Sequence, residues 1–370
     1  MKLLSRALVA MGAVAAATVV VPASGVVDGT PVADGAQPYV ARITVGTESA
    51  CTGALIDPYW VVTANGCVPD GREATAVIGR TQAGQTTGVT SKITQVVRRD
   101  DRDIALVKLE FPVMDLPKLK IATTPAAAGE VLKISGWGRT RQTFANDRLH
   151  VASFSVDSAN GQTVAVTGQS VGLCKGDAGG PAIREVNGVA ELVAVGTKSW
   201  QGGCYGVSDT RTGATAGRVD NIGAWITEQI GGRTVTLKNN YTQKCAVQFG
   251  FEPTAGTTLK QYTCAPYLDQ VWTLKPVNGG FAVYNVHTKL CASARGTSDV
   301  AGWTVPMLDC SAAEPLQAWQ VNAVANGTQI RNSVTGLCLA VWWRTPDDGA
   351  EATYQVCEAA YADQVWTLNS

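Results

Sequence analysis

An all-β protein of two domains is the fold class that this sequence predicts. Of its 370 residues only 16% are charged and 39 are glycine. Short runs of Val, Thr and Ile alternate with turn-forming residues, which is typical of strands rather than helices. A single hydrophobic core seldom extends over so long a chain, so the length indicates two domains. An internal repeat in the last third of the chain is typical of a separate second domain.

The N-terminal segment Met1–Gly25 is typical of a secretion signal. Lys2 and Arg6 form a basic start, Ala7–Val21 is apolar, and Ala23–Gly25 offers the small residues of a cleavage site. A membrane anchor is the alternative, but about fifteen apolar residues are fewer than the ~20 that a spanning helix needs. Because no later stretch is long and apolar enough either, we expect a secreted, soluble protein.

The charge balance and the cysteine count exclude several classes of function. The chain has 30 Lys+Arg and 30 Asp+Glu; without Lys2 and Arg6 the balance is 28 against 30, a net charge near −2. This charge gives no electrostatic reason to expect nucleic acid or an anionic membrane as a partner. The 10 cysteines favour disulfides over metal sites in an exported chain, and 2 histidines are few for a metal centre. We expect no metal and no cofactor.

The segment Cys174–Pro181, with the sequence CKGDAGGP, is the motif around which the first domain is organised. It resembles the Gly-Asp-Ser-Gly-Gly-Pro signature of trypsin-like serine proteases, with Ala178 at the position of the nucleophilic serine. The resemblance implies that the amides of Gly176 and Ala178 form the oxyanion hole. A methyl group cannot attack a peptide carbonyl, so the nucleophile is missing.

The segments that carry the other two catalytic residues of that family are also recognisable. Cys51–Ile56 and Trp60–Cys67 resemble the strand and loop that hold the histidine, and Gly66 stands at its position. Glycine has no side-chain proton acceptor, so Gly66 cannot act as general base. Asp103, in the run Asp-Ile-Ala-Leu, matches the aspartate that orients the histidine.

Neither histidine of this chain is expected to replace the missing base. His150 follows the segment SGWG at positions 135–138, and His287 belongs to the second domain. In relatives, a serine just before a tryptophan hydrogen-bonds the aspartate of the triad. The matching serine here is Ser199, so the resemblance implies that Asp103 keeps a hydrogen-bond partner without the histidine.

The segment Val26–Gly29 resembles the new N-terminus that trypsin-like enzymes expose on activation. In that family the freed ammonium group pairs with the aspartate of the signature, here Asp177, and a buried carboxylate needs such a partner. No Arg or Lys precedes Val26, which argues against tryptic activation, whereas a signal-peptidase cut after Gly25 would create this terminus directly. A nearby cut that leaves a loose terminus is the alternative.

The specificity pocket implied by the resemblance involves Gly172 and the segment Ser199-Trp200-Gln201. Gly172, at the base, is not the aspartate that gives trypsin its preference for Arg and Lys. Gln201 replaces a glycine that usually leaves the entrance open. We therefore expect an uncharged, partly obstructed pocket.

A C-terminal helix is expected to close the first domain, which spans residues 26–232. Apolar residues at helical spacing precede two glycines at positions 231 and 232, which is typical of a helix that ends at a glycine cap. The apolar residues are Val219, Ile222, Ile226 and Ile230.

The second domain, residues 233–370, contains a threefold repeat. A Gln-x-Trp motif recurs every 47 residues, ending at Trp272, Trp319 and Trp366, and each repeat has two cysteines 19 residues apart. This pattern resembles the ricin-type β-trefoil lectin domain, in which these glutamines and tryptophans build the core. The expected architecture is thus a chymotrypsin-like double β-barrel followed by a β-trefoil.

Sugar binding by such a domain needs further residues, and most of them are absent. In lectin relatives an aspartate follows the first cysteine of a repeat and an aromatic residue precedes the second. The aspartate is replaced in all three repeats and the aromatic residue in two of them, at Val247, Ser293, Ala340, Leu308 and Gln355.

The first repeat is therefore the candidate sugar site, with Tyr262, Asp269 and Gln270. Asp363 has the place of Asp269 in the third repeat. The adjacent tryptophans at 342 and 343 are an alternative stacking surface, although two such neighbours more often divide between core and surface.

The two resemblances also imply how the ten cysteines pair. We expect two bridges in the first domain and one in each repeat of the second: Cys51–Cys67, Cys174–Cys204, Cys245–Cys264, Cys291–Cys310 and Cys338–Cys357.

Three functions compete on these grounds. The favoured one is a secreted pseudoprotease that binds a peptide or protein in a cleft unable to cut it and is tethered by the trefoil. The second is an active serine endopeptidase with an unrecognised base and nucleophile. The third is a carbohydrate-binding protein whose first domain is only a carrier. Loss of serine or histidine in a triad lowers kcat by about a million-fold, which favours the first.

Overall fold

The computed structural model describes residues 26–248, 254–295 and 303–370. Residues 1–25, to which the sequence analysis assigns a secretion signal, lie outside the described residues. Within the described ranges the chain is almost entirely β-structure with a single α-helix, Gly223–Ile230. That helix has 8 residues, and no described helix qualifies as a membrane span.

The strands of the first domain are short and separated by turns, as the Gly-rich sequence predicts. In chain order they are β1 Thr30–Pro31, β2 Val40–Val45, β3 Glu48–Asp57, β4 Trp60–Ala64, β5 Ala74–Ile78, β6 Val89–Arg99, β7 Ile104–Leu109, β8 Lys120–Ile121, β9 Val131–Gly136, β10 His150–Asn160, β11 Thr163–Gly168, β12 Pro181–Val186, β13 Val189–Ser199 and β14 Gly213–Arg218.

Two closed barrels result from these strands. The first has the order β2-β3-β4-β7-β6-β5; β5 alternates buried and partly exposed residues, whereas β4 is buried throughout. The second has the order β10-β11-β14-β13-β12-β9 and closes because β9 pairs with β10 over six residues. Ile43, Leu55 and Ile78 fill the first barrel, and Leu132 and Phe154 fill the second. The predicted double β-barrel is confirmed.

The α-helix α1, Gly223–Ile230, follows the second barrel and ends as predicted. Ile222 and Ile226 are buried in a cluster that also contains Ile104 of the first barrel and Leu192 of the second, so the helix packs against both. Gly231 closes it in the left-handed conformation, with φ 69° and its N–H donated to the Thr227 carbonyl. Val219 belongs to the same cluster but precedes the helix.

The second domain forms a single 13-stranded sheet that is folded into three repeats. Its strands are β15 Arg233–Asn239, β16 Cys245–Val247, β17 Lys260–Tyr262, β18 Val271–Val277, β19 Gly280–Asn285, β20 Leu290–Ala292, β21 Trp303–Thr304, β22 Met307–Asp309, β23 Ala318–Val324, β24 Gly327–Asn332, β25 Cys338–Val341, β26 Ala352–Gln355 and β27 Trp366–Asn369.

The three Gln-x-Trp motifs have the structural role that the repeat predicts. Trp272, Trp319 and Trp366 are fully buried in one core, and each indole N–H donates to a backbone carbonyl at 2.9–3.0 Å. Each glutamine of the motifs accepts one backbone N–H and donates to one backbone carbonyl at 2.7–3.0 Å. These buried polar groups are thus satisfied within the scaffold.

All five expected disulfides are confirmed, and no cysteine is free. Their sequence separations lie between 16 and 30 residues, so every bridge is local to one domain. In the chain-entropy model a bridge over such a loop stabilises the fold by about 3 kcal/mol.

Candidate functional site

The loop at positions 174–180 is held in a conformation that only its glycines permit. Gly176 and Gly179 have φ of 101° and 87°, a region that other residues rarely adopt. A β-carbon at Gly179 would overlap the Thr52 carbonyl oxygen. The Thr52 amide donates to the Ala178 carbonyl at 2.9 Å, and its hydroxyl donates to the Gly176 carbonyl at 2.8 Å. The first barrel therefore fixes this loop of the second.

Two backbone N–H groups at the turn of this loop are left without a hydrogen-bond acceptor among the described residues. The amides of Gly176 and Ala178 donate to no acceptor within the part of the chain that the structure describes. These are the two groups to which the sequence analysis assigns the oxyanion hole. Unpaired N–H groups beside a cavity can bind an anion or a carbonyl oxygen.

Ala178, which we expect at the position of the nucleophile, packs its methyl group against the scaffold. Ala178 is half-buried and contacts the apolar core of the first barrel. Two hydroxyls line the neighbouring cavity, but both are engaged: Thr197 donates to the Thr215 carbonyl at 3.0 Å and Ser199 to the Leu173 carbonyl at 2.6 Å. Neither hydroxyl is paired with a base, as an activated nucleophile requires.

Gly66, which we expect at the position of the general base, lies in an exposed turn with open space above it. Gly66 lies in a 3-10 turn, Asn65–Cys67, and a β-carbon added to it would meet no atom within 4 Å. Arg98 donates to the Asn65 carbonyl at 2.6 Å, and the Asn65 side chain donates to Asp100 at 2.8 Å. The turn is thus held in place although its histidine is absent.

Asp103 has a different partner from the expected one. It adopts the left-handed conformation, with φ 57° and ψ 40°, just before β7. The sequence analysis expects Ser199 to hydrogen-bond its carboxylate, but Ser199 donates to Leu173 instead. Asp103 is 4.0 Å from the ammonium group of Lys198, which supplies a cation on the side of the cleft. The expected hydrogen bond between Ser199 and Asp103 is therefore wrong, and the carboxylate lies beside the Lys198 ammonium group instead.

The two histidines lie away from this cleft, as expected. His150 is fully buried at the start of β10, where its Nδ1 is 3.0 Å from the Arg148 carbonyl. His287 is exposed on the second domain. Neither lines the cavity beside Ala178.

Asp177 is fully buried under the loop, and burial raises the pKa of its carboxyl to about 7. It accepts the amides of Gly138 at 2.7 Å and Cys174 at 2.8 Å, which offset part of this effect. A side chain at Gly136 or Gly138 would overlap the carboxylate. No cation pairs with Asp177 within the described ranges.

The start of the first domain is packed near this aspartate loop. Val26 is fully buried in the core of the second barrel, and the Val27 amide donates to the Gly172 carbonyl at 3.0 Å. In this chain Val26 follows Gly25, so its nitrogen is an amide and not an ammonium group. The expected pairing of a Val26 terminus with Asp177 stays a prediction.

A cavity of about 260 Å³ opens beside Ala178. Its lining includes Lys175, Lys198 and Gln201, as well as Ser199, but neither Gly172 nor Trp200. The expectation of an uncharged pocket therefore differs from the structure, because two lysines line it and no carboxylate does. Of these two lysines, Lys175 directly follows a motif cysteine, so its place beside the pocket could have been inferred from the sequence.

Trp200 belongs to a neighbouring cavity of about 540 Å³, together with Lys198 and Ser199. The indole is half-exposed, and the guanidinium of Arg211 stacks on it with Cζ 3.5 Å from the ring centroid. The two cavities share Lys198 and Ser199, but only the second is also lined by a carboxylate, that of Asp157. Gly172 is buried and lines neither cavity, and a β-carbon added to it would lie 2.9 Å from the Gly202 carbonyl oxygen.

The candidate sugar site of the second domain is only partly available. Gln270 uses both ends of its amide for backbone hydrogen bonds, so it has a structural role. Tyr262 is 38% exposed on β17. Burial raises the pKa of the Asp269 carboxyl, and one of its oxygens is buried without a hydrogen bond in the described structure.

Comparison with known proteins supports the two resemblances. Residues 26–226 match the family described as Trypsin, and residues 233–368 match the ricin-type beta-trefoil lectin domain. Serine protease SP24D of Anopheles gambiae is 28% identical over 193 residues, 45% of this chain and 71% of that protein. Trypsin-like protease of Streptomyces glaucescens is 28% identical over 203 residues, 48% of this chain and 74% of that protein. Vitamin K-dependent protein C of Rattus norvegicus is 28% identical over 257 residues, 58% of this chain; this chain spans only 53% of that protein's length.

Proposed function

From its membership of the trypsin family, to which this chain belongs by the match over residues 26–226, we propose that it is a secreted, non-cleaving binder of peptides. The first domain supplies a cleft of the family without its base and nucleophile. The ricin-type lectin domain, matched over residues 233–368, supplies a second binding surface that tethers the protein.

The combination of an intact cleft with Gly66 and Ala178 carries this proposal. Removing serine or histidine from a triad costs about a million-fold in kcat. The residual advantage over water, about 10³–10⁴-fold, comes from the oxyanion hole and substrate binding. The free amides of Gly176 and Ala178 and the cavity beside them are the parts that support binding without chemistry.

The charge of the cleft favours an acidic peptide. Lys175 and Lys198 line the cavity, and no carboxylate belongs to its lining. Asp103, 4.0 Å from Lys198, neutralises part of this charge from one side. Two cations and two unpaired amides together suit the carboxylate of a Glu or Asp side chain or of a peptide C-terminus. The preference is thus opposite to that of trypsin for Arg and Lys.

The activation pocket and the route of export are further parts of the proposal. We expect the mature protein to begin at Val26, so that its ammonium group compensates the buried carboxylate of Asp177. The burial of both residues supports this pairing, because an unpaired charge in the interior is costly. Five disulfides support export to an oxidising compartment.

An active serine endopeptidase is the second candidate, because two of the relatives are named as proteases. A fluorescent casein assay and a nitrophenyl ester assay separate the two. We expect both rates to equal the buffer background. Turnover by the unaltered protein that is abolished by Asp103→Asn would show catalysis that depends on Asp103 and overturn the proposal.

Binding is tested with three fluorescein-labelled hexapeptides that differ only in a C-terminal Glu, Gln or Lys, each also prepared as a C-terminal amide. We expect fluorescence anisotropy to report binding without loss of peptide mass, tightest for Glu with a free carboxylate. If no peptide binds and casein is not retained either, the cleft is not a binding site.

A further inference from the structure

A groove between the second and third repeats of the lectin domain is lined by two exposed tryptophans. It has a volume of about 490 Å³, within the range of about 300–1,000 Å³ typical of ligand sites. Trp303 and Trp342 face it together with Thr304, Thr345 and Glu351, and the backbone at positions 349–350 completes the wall. We call this surface the tryptophan groove. It shares no residue with the candidate site of Tyr262, Asp269 and Gln270.

The exposure of these indoles is unusual for this domain. The three motif tryptophans are fully buried, whereas Trp303 and Trp342 are 43% and 40% exposed and Trp343 beside them is 79% exposed. Large aromatic side chains left together in water typically mark a binding surface. The sequence therefore uses tryptophan in two ways here, in the core and around one groove.

The turn that carries Trp342 has two consecutive residues in a strained backbone conformation. Trp343 and Arg344 both have positive φ, 48° and 56°, which is unfavourable for residues with a β-carbon. The ring of Trp343 meets that of Trp342 edge-on, with centroids 5.7 Å apart and planes at 89°. Backbone strain at an exposed turn is expected where the surrounding structure holds it for a function. Here the turn presents Trp342 to the groove.

The loop that follows Trp342 is fixed before any ligand arrives. Arg344 donates to the buried carboxylate of Asp363 at 3.0 Å and lies over the ring of Tyr361. The same loop is held by Gln261, whose buried amide donates to the carbonyls of Thr345 at 2.7 Å and Asp347 at 3.0 Å. A site that needs no ordering on binding retains more of its contact energy as affinity.

The polar groups of the groove define the chemistry of its ligand. One oxygen of Glu351 accepts the Thr258 hydroxyl at 3.0 Å, which leaves the second oxygen for a ligand. Among the described residues that line the groove there is one carboxylate and no Lys or Arg. Anionic ligands are therefore disfavoured. A neutral molecule with apolar C–H faces for the indoles and hydroxyl donors for the carboxylate fits both features.

From these observations we propose that the tryptophan groove binds neutral saccharide chains, with a pyranose ring packed between Trp303 and Trp342 and its hydroxyls donated to Glu351. Trp343 and Arg344 are positioning residues that hold Trp342. The proposal is independent of the cleft in the first domain, and it places sugar binding outside the positions of the repeat that lectin relatives use.

The test is isothermal titration of the full chain with cellohexaose and chitohexaose, with polygalacturonate fragments as the anionic comparison. We expect binding of at least one neutral hexasaccharide, quenching of tryptophan fluorescence and no binding of the anionic chain. Trp342→Ala and Trp303→Ala should each weaken binding at least about tenfold, and Glu351→Gln several-fold. Tyr267→Ala, which removes an aromatic residue that is 65% exposed elsewhere in the domain, should leave binding unchanged.

Thermal melts of each variant separate loss of binding from loss of folding, and Trp342→Phe should recover part of the affinity if stacking is the cause. Three results would overturn the proposal: neither hexasaccharide binds, binding is lost in Tyr262→Ala but kept in both tryptophan variants, or the anionic fragments bind best. Failure of all saccharides together with normal peptide binding in the first domain would leave the proposed function intact.

Discussion

We propose that both domains of this chain lack side chains that their families use, but at different kinds of position. In the double barrel these positions are Gly66 and Ala178, at the cleft, while the loop around buried Asp177 has its own hydrogen bonds. In the trefoil, the glutamines and tryptophans of the repeat remain fully engaged in the core, and the positions for sugar are altered around them. Side chains that hold a fold and side chains that react or bind are therefore separable here.

The candidate sites of the two domains also differ in their lining. The cavity of the barrel is lined by two cations, Lys175 and Lys198. The groove of the trefoil is lined by exposed aromatic surface, at Trp303 and Trp342. We propose that the barrel reuses the site of its family, whereas the trefoil offers a new one. Four experiments test this difference between the domains.

The largest expected effect is the return of catalysis in the double variant Gly66→His, Ala178→Ser. A β-carbon at Gly66 has open space, Asp103 is present and the amides of the oxyanion hole are free. We expect nitrophenyl ester hydrolysis to rise at least about 10²-fold over either single variant, since base and nucleophile act as a unit.

Each single variant, Gly66→His or Ala178→Ser, is the control and should stay at background. Adding Asp103→Asn to the double variant should remove most of the regained rate. A double variant that folds but shows no turnover would mean that the backbone around the site no longer supports catalysis, even when both side chains are restored.

The next effect concerns the core of the trefoil. Trp319→Ala removes a fully buried indole and its hydrogen bond to Ala292, and should lower the free energy of unfolding by about 3–5 kcal/mol. Calorimetry should show this loss in the transition of the lectin domain alone. The matched control is Trp343→Ala, which is mostly exposed and should change the free energy by less than about 0.5 kcal/mol. Equal effects of both variants would contradict the division into core and surface tryptophans.

A smaller effect, dependent on pH, is expected from Asp177. While Val26 is still preceded by Gly25, burial raises the pKa of Asp177 from 3.8 to about 7. Its contribution to stability is then fully present below about pH 4 and is lost as the pH rises to about 7, a change on the order of a few kcal/mol. Asp177→Asn should abolish this pH dependence of the free energy of unfolding. Thermal melts of the unaltered protein and of the variant, recorded across this pH range, measure the difference.

The mature form that begins at Val26 provides the matched comparison. Its ammonium group should lower the pKa of Asp177, so the slope should disappear or reverse. Identical pH profiles for the extended and mature forms would contradict the pairing of Val26 with Asp177.

The smallest effect is expected at the rim of the cleft. Lys198→Gln removes one of the two cations of the cavity, but this side chain is 77% exposed and well screened. We expect affinity for the Glu-terminated hexapeptide amide to fall about three- to tenfold, with no change for the Gln-terminated amide, which carries no carboxylate at that end. Lys133→Gln, on β9 and outside the cavity, is the control. Equal weakening of both peptides would show that Lys198 supports the cleft and does not select its ligand.

The sequence predicts the scaffold of both domains well, because the signals are local and in fixed register. Two cysteines bracket Gly66, a glycine-rich motif brackets Ala178, and the 47-residue repeat sets Trp272, Trp319 and Trp366 in equivalent positions. Each of these patterns needs only a few neighbouring residues to be read.

The position of Lys198 in the lining of the cavity could not be predicted in this way. β13 has an irregular register between Gly196 and Lys198, where it pairs with β14. A bulge of this kind changes the side of the strand on which the following side chains lie, and nothing in the residues 196–199 marks it. The partner of Asp103 and the charge of the cavity both depend on it.

The tryptophan groove escaped sequence analysis for a different reason. Trp303 and Trp342 are 39 residues apart and belong to different repeats, so only the fold brings them to one surface. The sequence singles out the pair at 342 and 343 without showing that one lines a groove and the other braces it through a turn with positive φ.

The purely local disulfides have a consequence for how the protein can be divided. All ten cysteines are used within their own domains, and between the end of α1 at Ile230 and the start of β15 at Arg233 there are only two glycines. Cleavage of one peptide bond there would break the only covalent link between the two domains, even with all five disulfides intact. Each fragment would keep its own cross-links. If the two proposed binding activities hold, the lectin fragment would then stay on a glycan-coated surface while the barrel fragment leaves with its bound peptide.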